Sequence, residues 1–382
     1  MSSAERTAMQ PAEAVLRFLA GVGPGSEAEF YLRLFRQRAP ESFAAIVVDP
    51  ETWHQNLEGV ALDLRLLATL SLTPIVVLGF YQPERAAEYA RALGAKLADS
   101  GVASREFASD ARPDEIAAAA GSGALPLLLL SAADASEREA ELARVLAGLA
   151  THKLILLRNE GGLRSSGRPL SVVNLSDEFG ELMAQPDFSD DQKRLLAFSR
   201  RVVFELVPHE LLVTVTSPLS LLHELFTVRG AGTLLRRGAQ IVRHDAFAGV
   251  DLDALRELLR SSFGREPRDG IFERPITHSY LEARYRGAAL LAQTRLGSYL
   301  SKFAVTRQAQ GEGIGRDLWQ AMRDDHPALF WRAREQNPIR SWYEKQCDGR
   351  VRVRDWIVYF IGVAPERIPE VIAHARSQPI DF

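Results

Sequence analysis

Gln310-Gly311-Glu312-Gly313-Ile314-Gly315 follows directly on a strand-like run, Tyr299-Leu300-Ser301-Lys302-Phe303-Ala304-Val305, and leads into a helix-like run from Arg316 to Met322. A strand that ends in a glycine-dense turn at a helix start leaves several backbone N–H groups pointing outward together. The helix dipole adds partial positive charge there. The pattern predicts a cradle for phosphate or pyrophosphate that needs no lysine. Working outward, strands are predicted over 279–285, 288–294 and 299–305, with an edge strand over 241–244 and a helix over 252–263 entered through Asp251. Beyond the turn the pattern gives a strand over 328–332, a helix over 339–346, and strands over 350–353 and 356–361. This is a β-rich, antiparallel α+β layout.

The earlier part of the chain reads differently. Short apolar runs over 43–48, 74–79, 125–131, 153–158 and 212–216 alternate with helical periodicity over 28–38, 57–69, 83–93, 136–149 and 191–206. Such alternation predicts an α/β unit, a mostly parallel sheet with helices on both faces. Gly94 reads as a helix stop, and Ser136 with Glu139 as a capping box. The change of pattern places a boundary at 236–240, dividing the chain into 1–236 and a smaller 237–382.

Composition sets the bounds. A chain of 382 residues with 46% hydrophobic and 25% charged residues is ordinary globular protein. Net charge is -3 and the basic residues are dispersed, which argues against nucleic acid as the main partner. The single cysteine, Cys347, excludes an intrachain disulfide and a cysteine-clustered zinc site, so no metal is expected. No apolar run approaches the ~20 residues of a membrane span. The first twenty residues lack a signal peptide's apolar core, so a cytoplasmic location is expected.

Several side chains near the turn carry chemistry. The Gln-x-x-Gly-x-Gly spacing of Gln310, Gly313 and Gly315 resembles that with which GNAT-type N-acetyltransferases hold the pyrophosphate of acetyl-CoA. Arg332 and Arg334 lie two apart in a strand and so share a face. With Asn337 just beyond, two guanidinium forks suit the carboxylates of a small dianionic acceptor, and a solvated or salt-bridged strand is the other reading. Tyr343 reads as a proton donor to a departing thiolate or as a tyrosine packed beside Trp342. Lys302 interrupts an apolar strand and faces either solvent or the cleft. The backbone of Phe303, Ala304 and Val305 can pair with a pantetheine arm as another strand would.

Taken together, the 299–305 run, the glycine turn, Phe330-Trp331-Arg332-x-Arg334-x-x-Asn337-Pro338, Trp342-Tyr343, Asp348-Gly349 and Trp356 resemble the C-terminal domain of N-acetylglutamate synthases. The resemblance is to the vertebrate-like type, found also in bifunctional synthase-kinases. It implies an acetyltransferase in which Arg332, Arg334 and Asn337 hold L-glutamate, Lys302 lies in the acceptor site, and Tyr343 is the general acid. It also implies that Gln310, Gly311, Gly313 and Gly315 hold acetyl-CoA. Ser262-Phe263-Gly264-Arg265 is similar to the family's Ser-Phe-Gly-basic stretch, which adds Arg265 to the glutamate site.

Glu224-Leu225-Phe226-Thr227 through Gly230-Ala231-Gly232 resembles the amino-acid-kinase domain of the same proteins, where this segment contacts the effector arginine through Glu224 and the backbone near Gly230. Tyr31 to Phe35 is similar to a helix that mediates assembly, which implies a homo-oligomer, with a tetramer favoured. The departures matter more. Where active kinases carry Lys-x-Gly-Gly, this chain reads Val47-Val48-Asp49-Pro50-Glu51, and the second phosphate turn reads Leu78-Gly79-Phe80-Tyr81-Gln82-Pro83. A lysine is gone, a proline removes a donor and two carboxylates repel phosphate, so neither ATP binding nor kinase activity is expected. The resulting expectation is an L-glutamate N-acetyltransferase of arginine biosynthesis, working through a ternary complex. The alternatives are an arginine-sensing regulatory subunit without catalysis, and an acetyltransferase for another amino acid.

Overall fold

The computed structural model describes residues 25–36, 43–227, 230–268 and 270–381. The expected helix over 28–38 is Gly25–Arg36, and the end of that expectation, like the first twenty residues, lies outside the described residues. The chain divides into two compact units that meet in sequence at Arg237 and Gly238.

The first unit holds a mixed sheet in the order β3-β4-β2-β1-β5-β9-β10-β8. Its strands are β1 (Ala45–Val48), β2 (Ile75–Leu78), β3 (Ser104–Ala108), β4 (Leu125–Leu129), β5 (Lys153–Leu157), β8 (Val172–Asn174), β9 (Leu212–Thr216) and β10 (Thr233–Arg236), with β6 (Arg164–Ser165) and β7 (Arg168–Pro169) forming a separate ribbon. All pairings in the large sheet are parallel except β9 with β10. β1 is buried on both faces: Ala45 and Val47 join one apolar core, Ile46 and Val48 another. That double burial is why such strands read as continuous rather than alternating apolar runs.

Several local expectations are corrected. The helix expected to stop at Gly94 runs Ala86–Asp99. Leu97, fully buried one turn later, contributes about 1.5–3 kcal/mol, which outweighs the ~1 kcal/mol cost of a helical glycine. Ser136 is not the cap of the next helix. Asp134 is, its carboxylate accepting from the Ser136 and Glu137 N–H groups (2.8 and 3.2 Å), while Glu139 pairs with Arg201. The helix expected over 57–69 begins at Pro50, capped by Asp49, and bends at Asn56. The last expected helix is Asp190–Arg201 followed by a π turn, Val202–Leu206. Sequence reasoning missed β3, β8, β10 and the helix Pro113–Gly121.

The second unit is a seven-stranded sheet in the order β11-β12-β13-β14-β15-β17-β16. Its strands are β11 (Ile241–Asp245), β12 (His278–Glu282), β13 (Gly287–Thr294), β14 (Gly297–Val305), β15 (Leu329–Arg334), β16 (Gly349–Val353) and β17 (Trp356–Ile361). The expected all-antiparallel layout is wrong at one place: β14 and β15 are parallel. The helix Ile314–Asp325 carries the chain back to the start of the sheet between them, a crossover that only a parallel pair requires. A helix not read from the sequence, Ile368–Ser377, covers the face of Phe330 and Tyr299.

Candidate active site

Two departures from regular pairing create the site. The β14–β15 ladder runs only from Ser298–Leu329 to Leu300–Trp331, whereas β14 continues to Val305 and β15 to Arg334. Beyond that point the parallel strands part and leave a wedge. In the β13–β14 ladder Leu290 faces Lys302 and Leu291 faces Leu300, so Ser301 is an extra residue, a β-bulge. The bulge resets the side-chain alternation of β14. Leu300 and Phe303, three apart, both join the core beneath the Ile314–Asp325 helix, and Lys302 turns to the opposite side.

At the wedge lies a cavity of about 580 Å³. Its wall includes every predicted acceptor residue: Lys302, Arg332, Arg334, Asn337, Tyr343 and Arg265. Phe303 lines it too. The strand alternation sends Arg332 and Arg334 to one face and Trp331 and Ala333 to the other, where Tyr343 packs. The cavity therefore reaches both faces through the wedge. Arg332 and Arg334 both lie over the ring of Trp356, at 4.1 and 4.4 Å from its centroid. That stacking holds both guanidinium planes against one rigid surface. Arg334 makes no ion pair among the described residues. Asn337 Oδ1 accepts the Ile339 N–H (2.9 Å), which opens the short helix Arg340–Gln346 and leaves the amide NH₂ as the group available to an anion.

Tyr343 is carried by that short helix into an aromatic cluster with Trp319, Trp331, Trp342 and Tyr359. Burial, and then the neighbouring Tyr359, push its phenol well above the usual value, so it carries its proton at neutral pH. Cys347 is not a nucleophile by environment: burial raises its thiol, which donates to Glu344 O at 3.7 Å.

Three features of the wall were not legible in the sequence. Arg274 and Asp381 line the cavity, and Asp381 is the one carboxylate in a wall of five basic side chains. Asp381 forms ion pairs with Lys302 and with Arg274 (2.9 Å). Burial lowers the Lys302 ammonium below its ordinary value, and Asp381 opposes that shift. Arg332 donates to the backbone oxygens of Gln378 (2.8 Å) and Pro379 (2.7 Å). No local signal marks these, because the partners stand far apart in sequence.

The glycine turn sits beside the wedge. Gly311 and Gly313 have φ of +89° and +79°, a backbone that side chains other than glycine adopt at a cost. Gly313 caps the Ile314–Asp325 helix without a side chain. Among the described residues no acceptor meets the N–H groups of Gly311, Gly313, Ile314 or Gly315. A Cβ at Gly315 would lie 3.5 Å from Val305 and 3.8 Å from Phe303, so turn and strand edge are adjacent. Gln310 Nε2 reaches back toward Val305 O (3.4 Å). Ala304 differs: its side chain is buried against the Leu252–Phe263 helix, so only its backbone is available to a ligand.

In the first unit, Glu224 lies on the helix Leu221–Phe226, and its carboxylate accepts the Ala231 and Gly232 N–H groups (2.7 and 2.9 Å). Gly230 has φ +59°, and a Cβ there would sit 2.4 Å from the same carboxylate. At the carboxyl ends of β1 and β5, Arg158 faces Asp49 (3.9 Å), Glu160 (3.4 Å) and Asp191 (2.5 Å). Asp49 is held above its usual range by burial despite the guanidinium. Among the described residues no group of three His, Cys, Asp or Glu is placed to hold a metal, and no helix is long and apolar enough to cross a membrane.

Comparison with known proteins agrees with this geometry. Residues 241–378 match the family described as NAT, N-acetyltransferase, of N-acetylglutamate synthase. The mitochondrial N-acetylglutamate synthase of Homo sapiens is 31% identical across 95% of this chain and 77% of its own length. The acetylglutamate kinase of Xylella fastidiosa is 36% identical over 60% of this chain, and this chain spans about half (55%) of that kinase's length. Among solved structures, N-acetylglutamate synthase from Neisseria gonorrhoeae, complexed with coenzyme A and N-acetyl-glutamate, superimposes with a TM-score of 0.52 at 16% identity, covering 88% of this chain and 98% of that one. A second structure of that protein holds coenzyme A and L-arginine. The likeness to the human enzyme extends through both units, and the chain belongs to the N-acetylglutamate synthase family.

Proposed function

We propose that the chain transfers acetyl from acetyl-CoA to the amine of L-glutamate in a ternary complex, the first step of arginine biosynthesis. One observation carries the reading: a single cavity gathers Arg332, Arg334, Asn337, Lys302, Arg265 and the Tyr343 phenol beside a turn with four unengaged N–H groups. The turn suits the pyrophosphate of coenzyme A, since its open donors and helix dipole meet the negative charge. The parted edge of β14 at 303–305 suits the pantetheine arm as an added strand. Arg334 and the Asn337 amide are free to take the acceptor's carboxylates, with Trp356 fixing the fork.

Chemistry then follows from the groups at hand. The glutamate ammonium must lose a proton to water or a basic group before attack, because only the neutral amine carries a lone pair. Its nitrogen bonds to the acetyl carbonyl carbon as the carbon–sulfur bond breaks, and Tyr343 gives its proton to the leaving thiolate. Lys302, desolvated at the cavity wall, orients an acceptor carboxylate. The raised Cys347 thiol supports direct transfer over an acyl-enzyme.

The first unit is proposed to be non-phosphorylating, because three carboxylates crowd Arg158 where phosphate would bind. L-Arginine is its proposed effector, at the Glu224 and Gly230 segment. A homotetramer and a cytoplasmic address complete the reading. On the helix Gly25–Arg36, Ala28 and Leu32 are buried within the first unit's own core, so assembly would have to use another face.

The decisive test is thiol release from acetyl-CoA by the purified chain alone. Release that depends on L-glutamate, and that fails with glutamine or alanine, supports the proposal. No release with any amino acid would support a non-catalytic regulatory subunit, and release with a different acceptor would reassign the substrate.

A further inference from the structure

The segment after the Ile368–Ser377 helix folds back onto the acceptor cavity. Its contacts include three cations of the cavity wall. Asp381 pairs with Lys302 and Arg274 through its carboxylate, and the oxygens of Gln378 and Pro379 take the guanidinium of Arg332. Lys302 and Asp381 are 10% and 8% exposed, so this pairing is nearly dry. Within residues 378–381 the large apolar side chain, Ile380, is 42% exposed. The segment is thus held by polar contacts, and two of the three cations concerned are ones the acceptor needs.

A carboxylate seated on a lysine and an arginine, in a cavity built for a dicarboxylic amine, stands where an acceptor carboxylate would stand. We propose that residues 378–381 form an intramolecular strap that competes with the acceptor for Lys302, Arg274 and Arg332, with Asp381 imitating a substrate carboxylate. This rests on the acceptor reading given above. Binding of glutamate then requires release of the strap, and the open fraction scales the apparent affinity. A strap closed about nine-tenths of the time weakens apparent binding about tenfold.

The test uses the full chain and compares wild type with Asp381→Asn and Asp381→Glu. Calorimetric titration with L-glutamate in the presence of coenzyme A gives the affinity. Hydrogen exchange at the Arg268 amide, which donates to Asp381 O at 3.0 Å, reports whether the strap is seated. Asp381→Asn should bind glutamate about tenfold more tightly and exchange faster at Arg268, and Asp381→Glu should restore wild-type behaviour on both. Unchanged or weaker glutamate binding in Asp381→Asn, with coenzyme A binding intact, overturns the strap and makes 378–381 a fixed wall. If no protein, wild type included, binds glutamate, the acceptor assignment has failed. Faster exchange in Asp381→Asn would then show only that Asp381 seats the segment, and the proposed competition with the acceptor is overturned either way.

Discussion

Each unit contains a strand that turns into a helix, and the two junctions treat the helix N-terminus in opposite ways. After β1, Asp49 fills it: its Oδ1 accepts the Thr52 N–H (2.7 Å), its backbone oxygen the Trp53 N–H (3.0 Å), and Pro50 has no N–H to offer. After β14, Gly313 caps the helix with no side chain, and the neighbouring N–H groups are left open. The same dipole is answered internally in one unit and left unanswered in the other. A helix start is therefore an anion site only when the sequence declines to cap it.

The largest expected effect lies on the acceptor side of the open junction. Arg332→Ala should raise the glutamate KM by roughly 30-fold or more, since losing one partner of a buried charged contact costs ~2–5 kcal/mol. Wild-type glutamate kinetics in that variant would remove Arg332 from the acceptor site. Gly313→Asp converts the open junction into a copy of the closed one. It adds a carboxylate where phosphate should sit and a side chain at φ +79°. The acetyl-CoA KM should rise on the order of 100-fold, with glutamate binding little changed, and an unaltered acetyl-CoA KM would break the comparison.

Tyr343→Phe should lower kcat about 10- to 100-fold at constant acetyl-CoA binding, as expected for loss of a general acid. Because burial raises this phenol, the wild-type rate should show no loss of the acid as pH rises through 9. A decline centred there that disappears in the Phe variant would place the phenol in a wetter setting than the cavity provides.

The closed junction yields smaller, structural effects. Asp49→Ala should cost about 1 kcal/mol, the usual worth of an N-cap, seen as a shift of a few degrees in Tm. It should not produce ATP turnover, and phosphate transfer by this variant would mean that the cap alone had silenced the unit. A pH-dependent effect concerns Asp63 on the same helix, buried with Oδ2 unpartnered and pushed up to about 8 by desolvation. A carboxyl raised in the folded state favours folding while protonated, so its contribution falls as pH climbs from about 4 to about 8. Asp63→Asn should therefore raise Tm at pH 8, and by much less at pH 5. Equal shifts at both values would show that Asp63 is ionised inside the fold.

Much of this molecule is legible in local patterns. The alternation of apolar runs with helices announces the first unit, and strand–glycine turn–helix announces the open helix start, because each rests on periodicities and turn preferences that act over a few residues. The spacing of Arg332 and Arg334 puts both on one face for the same reason. Boundaries were less legible. Asp134 outbids Ser136 as a cap, and Leu97 carries a helix past Gly94, because burial settles such contests only once the sheet is assembled.

By itself, then, the sequence determined which backbone groups would be left open at 311–315, which side chains would share a strand face, and that the turn after the first strand carries a proline and two carboxylates but no lysine. Tertiary structure alone decided that the Ser301 bulge turns Lys302 toward the arginines, that β14 and β15 part to form the cavity, and that Asp381 returns across 79 residues to meet Lys302. The physical reason is range. Hydrogen-bond geometry and side-chain period are written between near neighbours, whereas an ion pair between distant residues exists only when packing has brought both charges into the same dry space.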